Sequence, residues 1–133
     1  MFRKIDDSIS VAGQIAVEDV AEAKRQGFVH IVNNRPDGEQ PGQPTADDMA
    51  KAAAAAGLGY SAIPITHAGF TPEQIDAMGE ALAQADGPVL AYCRSGTRST
   101  YVWALARAAA GDDARMLTAK AAAAGYDISG LWR

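Results

Sequence analysis

The sequence predicts an α/β fold with a mostly parallel central sheet flanked by helices. After residue 16, short apolar segments alternate with longer helix-forming segments, which is the pattern of parallel strands joined by helices. The segment 28–33 is apolar over most of its length, as expected for a strand covered on both faces. A length of 133 residues, with 48% hydrophobic and 21% charged residues, fits one globular domain spanning residues 1–133.

The first half of the chain is predicted to contain three strands and two helices. A turn of acidic and small residues separates the first two strands. The first helix has acidic residues in its first turn and basic residues near its end, charges that complement the helix dipole. In order, the predicted elements are strands 2–5 and 9–12, helix 17–26, strand 28–33, a polar loop over 34–44, and helix 46–56, capped by Thr45.

The second half is predicted to add two strands and three helices. Thr71 followed by Pro72 is a strong helix start, because threonine caps the helix and proline suits its first position. After the last helix, a short tail is expected to pack on the body of the protein. In order, the predicted elements are strand 60–65, helix 72–84, strand 89–92, a helix that begins near 97–99, and helix 114–124.

Residues 93–99, here called the cysteine loop, join an apolar strand to a helix and contain the only cysteine of the chain, Cys93. The N–H groups of such a loop and of the first helical turn can converge on one anion. A free cysteine is only a few per cent thiolate near neutral pH, and a helix terminus adds only about 0.3–1 kcal/mol of preference for an anion. We therefore expect loop N–H groups, the Ser99 hydroxyl and Arg98 together to hold Cys93 as a thiolate.

These residue types predict a nucleophile in an anion-binding loop. Gly96 allows backbone conformations that a side chain would block, and the planar guanidinium of Arg98 suits bidentate binding of an oxyanion. Arg94 either steers anions at the rim or is a solvated side chain. The predicted catalytic residues are Cys93, Arg98 and Ser99, and the predicted substrate-binding residues of the loop are Arg94, Ser95, Gly96 and Thr97.

The run Tyr-Cys-Arg-Ser-Gly-Thr-Arg-Ser at 92–99 resembles the active loop of single-domain rhodaneses, sulfurtransferases with four residues between cysteine and arginine. Protein tyrosine and dual-specificity phosphatases have five, and usually a histidine where this chain has Tyr92. Nearly the whole chain resembles the bacterial beta-lactamase-hydrolase-like protein, phosphatase-like domain family, whose members are often labelled sulfur transferases. The resemblance implies a protein-tyrosine/dual-specificity-phosphatase-like fold holding a loop of rhodanese length. The runs that carry it are 5–7, 11–15, 33–39 and 125–127.

The resemblance leaves more than one chemistry open. A phosphatase protonates the leaving oxygen, and in phosphatase families the acid is usually an aspartate on the loop that precedes the helix before the cysteine strand. Here that loop, residues 65–70, contains no carboxylate, and His67 is its only titratable group. Asp37 or Glu39 could reach in from the preceding polar loop.

Sulfur transfer has no such requirement, because the departing sulfite or thiolate is already a stable anion. We therefore expect a sulfurtransferase that passes a sulfane sulfur from thiosulfate or a persulfide through a Cys93 persulfide to a thiol acceptor. The first alternative is a cysteine-based phosphomonoesterase, like the tyrosine and dual-specificity phosphatases, that acts through a phosphocysteine. The second is a non-enzymatic persulfide or redox sensor.

Further candidate residues lie in residues 33–40, here called the polar segment, and in the loop after the next strand. One interpretation has Asn34 and Arg35 buttressing the cysteine loop, with Asp37 near the substrate. The other is a polar turn in which Pro-Asp-Gly only sets the backbone geometry. His67 is predicted to contact the substrate or donate a proton, although surface histidines often do neither.

The composition limits the kinds of ligand and partner that the protein is expected to bind. A net charge of −4 gives no footprint for nucleic acid or an anionic membrane, so a small anionic sulfur donor or phosphoester is expected. Two histidines and one cysteine, widely separated, predict no metal site and no cofactor. A single cysteine and an N-terminus without an apolar run indicate the cytoplasm. Some family members carry a fused persulfide dioxygenase domain, so the resemblance implies such a partner as a separate protein.

Overall fold

The computed structural model describes residues 2–132 and contains a five-stranded sheet. The order of the strands is β1-β2-β5-β3-β4. The first two strands pair antiparallel, and every other neighbouring pair is parallel. The predicted mostly parallel α/β fold is confirmed. The strands are β1 (Arg3–Asp6), β2 (Ile9–Ala12), β3 (His30–Asn33), β4 (Gly59–Ala62) and β5 (Val89–Tyr92).

Helices cover both faces of the sheet, and each face has its own apolar cluster. One cluster joins α1 and α2 to the sheet, and the other joins α3, α4 and α5 to it. In residues 2–132, no helix combines the length and apolar character needed to cross a membrane. The helices are α1 (Val17–Arg25), α2 (Ala46–Ala55), α3 (Pro72–Gln84), α4 (Thr97–Ala109) and α5 (Ala114–Ala123), followed by a 3-10 turn at Ser129–Trp132.

The central strand β5 positions the segment that contains Cys93. All four of its residues are buried, as the continuous apolar run predicts for a strand covered on both faces. Its last residue, Tyr92, lies in register with Ala12 of β2 and Asn33 of β3. Since these three strands are parallel, the residues that follow them emerge together at one edge of the sheet.

Two predicted strands are longer than those observed. The predicted strand 28–33 begins at His30, and the predicted strand 60–65 ends at Ala62. Pro64 has no N–H to donate, so regular pairing cannot continue through it. The N–H groups of Ile63 and Ile65 still donate to the carbonyls of Asn33 and Asn34, at 2.9 and 3.0 Å. The chain after β4 therefore stays against the edge of the sheet that carries the site.

Candidate active site

The cysteine loop folds back over a buried sulfur atom. The Cys93 side chain is buried, and its Sγ accepts a hydrogen bond from the Gly96 N–H at 3.1 Å. Gly96 precedes the first residue of α4 and has a φ of +90°, in the left-handed region that favours glycine. The Thr100 N–H and hydroxyl both donate to the Gly96 carbonyl, at 2.9 and 2.8 Å. The first turn of α4 thereby holds the loop above the sulfur.

Two other predicted cradle residues are hydrogen-bonded to each other. The Thr97 N–H donates weakly to the Ser95 hydroxyl oxygen at 3.4 Å, and the Ser95 hydroxyl donates to Thr97 Oγ1 at 3.0 Å. Both residues are exposed at the mouth of the loop. The Gly96 amide is the loop donor that the structure places on the sulfur, and the predicted roles of Ser95 and Thr97 in substrate binding stay predictions.

Arg98 connects the three segments that follow β3, β4 and β5. Its Nη1 donates to Glu39 Oε2 at 2.8 Å and to the Ile65 carbonyl at 2.7 Å, and its Nη2 donates to Glu39 Oε1 at 2.9 Å. The hydrogen bonds to Glu39 raise the pKa of Arg98, and the proximity of Cys93 raises it further, against the cost of partial burial. The guanidinium is therefore bonded to the carboxylate and close to Cys93.

Glu39 is the centre of a charged triad. Its Oε1 also accepts from Arg35 Nε at 2.8 Å. The exposed fractions of these side chains are 2% for Arg35, 12% for Arg98 and 19% for Glu39. Hydrogen bonds from Arg98 lower the pKa of Glu39 to about 2, and Arg35 contributes to the shift against the opposing effect of partial burial. Glu39 is thus a counter-ion for two arginines, and its expected role as a proton donor stays a prediction.

Ser99 does not make the predicted contact with the thiolate. Its hydroxyl donates to Asn34 Oδ1 at 2.8 Å, and a hydroxyl has only one hydrogen to give. The Asn34 amide nitrogen donates to the Ile63 carbonyl at 3.0 Å, and its backbone N–H donates to the Tyr92 carbonyl at 2.8 Å. Asn34 therefore ties the base of the cysteine loop to the neighbouring strands, as the buttressing interpretation expects.

Arg35 is held by a fully polar set of partners. Besides Glu39, its guanidinium donates to Gln14 Oε1 at 3.0 Å and to Gln40 Oε1 at 3.3 Å. Its backbone N–H donates to Asn33 Oδ1 at 2.9 Å. Arg35 therefore supports Glu39, which in turn holds Arg98, and its contribution to the cysteine loop is indirect.

Among the described hydrogen bonds, the side chains of Asp37, His67 and Arg94 make none to Cys93 Sγ. The Asp37 carboxylate accepts a hydrogen bond from the Ala46 N–H at 2.8 Å, which places it at the N-terminus of α2. His67 and Arg94 are exposed on their loops. The geometry gives Asp37 a structural contact, and the substrate-binding roles of all three residues stay predictions. Within residues 2–132, no three His, Cys, Asp or Glu side chains group as a metal site.

Tyr92 occupies the position where phosphatases usually have a histidine. It is 1% exposed and packs in the cluster beneath α1 and α2. Burial raises its pKa above the ordinary value, so the hydroxyl stays protonated. Among the described residues that hydroxyl has no hydrogen-bond partner. Tyr92 is therefore part of the core.

Two residues of the site were missed by the sequence analysis. Gln14 follows β2 and accepts from Arg35, and its N–H donates to the Arg94 carbonyl at 3.2 Å. The Tyr126 hydroxyl donates to the Ser95 carbonyl at 2.9 Å. The runs 11–15 and 125–127 stand out only through family resemblance, since neither carries a chemical motif of its own.

Comparison with solved structures places this fold among the cysteine-based phosphatases. A candidate phosphatase from Neisseria meningitidis is 30% identical, with a TM-score of 0.82 over 96% of this chain and 91% of its own. The P. aeruginosa TpbA in complex with pTyr has a TM-score of 0.66 at 15% identity, over 93% of this chain and 74% of its own, and shows the fold alone. The protein thus has a cysteine phosphatase-like fold.

The chain belongs to the beta-lactamase hydrolase-like protein, phosphatase-like domain family, whose model matches residues 1–110. A beta-lactamase hydrolase-like protein from Agrobacterium fabrum is 40% identical over 105 residues. That match covers 79% of this chain and 24% of the relative, so the chain spans about a quarter of the length of the curated relative.

Proposed function

We propose that this protein hydrolyses phosphate monoesters of acidic alcohols, such as aryl phosphates, through a phosphocysteine on Cys93. The observation that carries the proposal is the placement of Cys93 Sγ under the Gly96 N–H, with Arg98 beside it, on a phosphatase fold. The Cys93 thiolate would attack phosphorus, and the P–O bond to the leaving group would break. Water would then attack phosphorus, and the P–S bond would break to give inorganic phosphate and free thiolate.

The restriction to acidic alcohols follows from the charge of Glu39. It is the carboxylate that contacts Arg98, and its pKa of about 2 leaves it without a proton at neutral pH. If His67 does not donate the proton, a leaving alkoxide must depart as the anion, which is unfavourable unless the alcohol is acidic. The rate is therefore expected to depend steeply on the acidity of the leaving group.

Sulfur transfer is the second candidate, and the loop length favours it. Four residues separate Cys93 from Arg98, one fewer than in tyrosine phosphatases. In this reaction the thiolate attacks the outer sulfur of thiosulfate, the S–S bond breaks, and sulfite leaves as a stable anion. An acceptor thiolate then removes the sulfur from the Cys93 persulfide. The family and the solved relatives support phosphoester hydrolysis more directly than this reaction.

The test measures both reactions on one sample of the wild-type protein, with Cys93→Ser as the inactive control. Aryl phosphates with leaving phenols of graded acidity, phosphotyrosine and an alkyl phosphate test hydrolysis. Thiosulfate with cyanide, and glutathione persulfide with glutathione, test sulfur transfer. The proposal predicts Cys93-dependent phenol release that falls steeply as the phenol becomes less acidic. Phosphate release at background beside Cys93-dependent thiocyanate formation would replace it with sulfur transfer.

Intact-protein mass spectrometry of the same reactions separates the remaining alternative. A phosphate adduct on Cys93 that decays in water supports hydrolysis, and a sulfur adduct that acceptor thiols remove supports transfer. A sulfur adduct that persists in the presence of acceptor thiols would identify a sensor, and it would overturn both phosphoester hydrolysis and sulfur transfer as the function.

A further inference from the structure

The peptide bond between Ser95 and Gly96 is held at both ends. Its carbonyl oxygen accepts a hydrogen bond from the Tyr126 hydroxyl at 2.9 Å. Its N–H donates to Cys93 Sγ at 3.1 Å. In a planar trans peptide the carbonyl and the N–H point in opposite directions. A contact that fixes the oxygen therefore fixes the direction of the N–H.

The backbone preference of Gly96 does little by itself to prevent this peptide from turning over. Gly96 populates left-handed and right-handed backbone regions with similar ease, so its conformation at φ +90° carries little intrinsic preference. A flip of the Ser95–Gly96 peptide would replace the N–H near the sulfur with a carbonyl oxygen. That oxygen would repel a thiolate and any anion bound above it.

Tyr126 is itself well anchored. The Arg3 guanidinium lies 5.6 Å from the centre of the Tyr126 ring, and Arg3 Nη1 donates to the Ala124 carbonyl at 3.1 Å. Burial raises the pKa of Tyr126, so its hydroxyl keeps the hydrogen that it donates. An added Cβ at Gly96 would collide with the Tyr126 hydroxyl, which shows how closely the ring approaches the loop.

We propose that Tyr126 is a positioning residue that locks the Ser95–Gly96 peptide with its amide facing Cys93. The residue lies beyond the segment 1–110 that the family model matches, so this contact with the cysteine loop comes from the C-terminal tail. The inference does not depend on which group Cys93 transfers, because the amide would stabilise the thiolate in either reaction.

The test compares Tyr126→Phe with Tyr101→Phe. Both variants remove one tyrosine hydroxyl, and the Tyr101 hydroxyl donates to the nearby Asp127 carbonyl at 3.3 Å. Two measurements need no substrate: the rate of Cys93 alkylation by iodoacetamide at neutral pH, and the NMR chemical shift of the Gly96 amide proton. We expect Tyr126→Phe to slow alkylation about three- to tenfold, as expected for a weakened hydrogen bond to a charged group, and to move the Gly96 amide resonance. Tyr101→Phe should leave both near the wild-type values.

Equal alkylation rates in the two variants with an unmoved Gly96 resonance would overturn the proposal, as would equal losses in both. Arg3→Lys is a milder perturbation of Tyr126 than Tyr126→Phe, since it weakens the contact with the Tyr126 ring while keeping the charge. It should shift the alkylation rate in the same direction by a smaller factor, and an effect larger than that of Tyr126→Phe would also contradict the proposal. Because alkylation is independent of turnover, failure here is distinguishable from failure of the proposed phosphatase activity.

Discussion

The cysteine loop and the polar segment face each other across the site, and they are organised in opposite ways. Hydrogen bonds within the loop are local: the Gly96 amide reaches a sulfur three positions away, and the Ser95 and Thr97 side chains are two apart. The polar segment contacts the loop across long sequence separations. Glu39 and Arg98 are 59 positions apart, and Asn34 and Ser99 are 65 apart.

This difference separates two functions. The local sequence of the loop provides the proposed nucleophile, Cys93, and the amide that faces it. The polar segment decides where the side chains of the loop point, because Glu39 holds Arg98 and the buried Asn34 holds Ser99. Changes in the loop should therefore reduce turnover first, and changes in the polar segment should reduce stability first.

The largest effect is expected at Arg98 of the loop. Arg98→Lys keeps one positive charge but cannot donate to both Glu39 oxygens and a bound anion at once, since lysine lacks the planar fork. We expect kcat/KM to fall about 10²- to 10³-fold, the range found when a donor to developing charge is removed. Steady-state kinetics on the substrate that the wild type turns over provides the measurement, with a thermal melt as the folding control. A loss of only a few-fold would show that the loop does not depend on this guanidinium.

Glu39→Gln tests the centre of the polar segment. The folded protein holds the pKa of Glu39 at about 2, below the ordinary value, so the ionised carboxylate stabilises the fold. Because Glu39 is exposed to solvent, screening makes this contribution smaller than the full pKa shift would give. That contribution is complete above the ordinary pKa of about 4.3 and is lost as the pH falls towards 2.

Urea denaturation of wild type and Glu39→Gln at pH 7 and pH 3 measures the effect. The difference in unfolding free energy between the two proteins should be large at pH 7 and smaller at pH 3. A difference that does not change with pH would mean that the carboxylate is not stabilised by its two arginines. Turnover should fall about tenfold or less, because Arg98 keeps its contact with the Ile65 carbonyl.

Ser99→Ala tests the link between the two regions. The variant leaves buried Asn34 Oδ1 without this donor, which should cost about 1–3 kcal/mol of unfolding free energy. A double-mutant cycle with Asn34→Ala should assign most of that cost to the pair. If instead Ser99→Ala slowed Cys93 alkylation without destabilising the fold, the hydroxyl would serve the thiolate, as the sequence analysis expected.

The smallest effect is expected at Asp37. Asp37→Asn keeps an acceptor for the Ala46 N–H but removes a negative charge from the start of α2, at a cost of about 0.3–1 kcal/mol. Turnover should change less than twofold. A larger loss of kcat/KM with unchanged stability would support the substrate contact that the sequence predicts for Asp37. It would also show that the polar segment contributes to turnover and not only to stability.

Much of the fold could be predicted because its signals are local. Thr71 and Pro72 mark the start of α3, and the predicted bounds 72–84 match the observed helix. The apolar run of β5 predicts burial on both faces, which is observed. The predicted strand ends at residues 28 and 65 were wrong. The end of a strand depends on the neighbouring strand with which it pairs, and the local sequence of the strand does not identify that neighbour.

The sequence by itself determined the candidate reactive centre of this protein: a single cysteine, a glycine and an arginine within six residues, where a strand becomes a helix. Only the tertiary structure decided that Glu39 is a counter-ion for two arginines, that Ser99 serves Asn34, and that Tyr126 reaches the loop. The physical reason is distance along the chain. Backbone geometry within a few residues follows from residue type, whereas the charge and hydrogen-bond partner of a side chain depend on what the fold brings beside it.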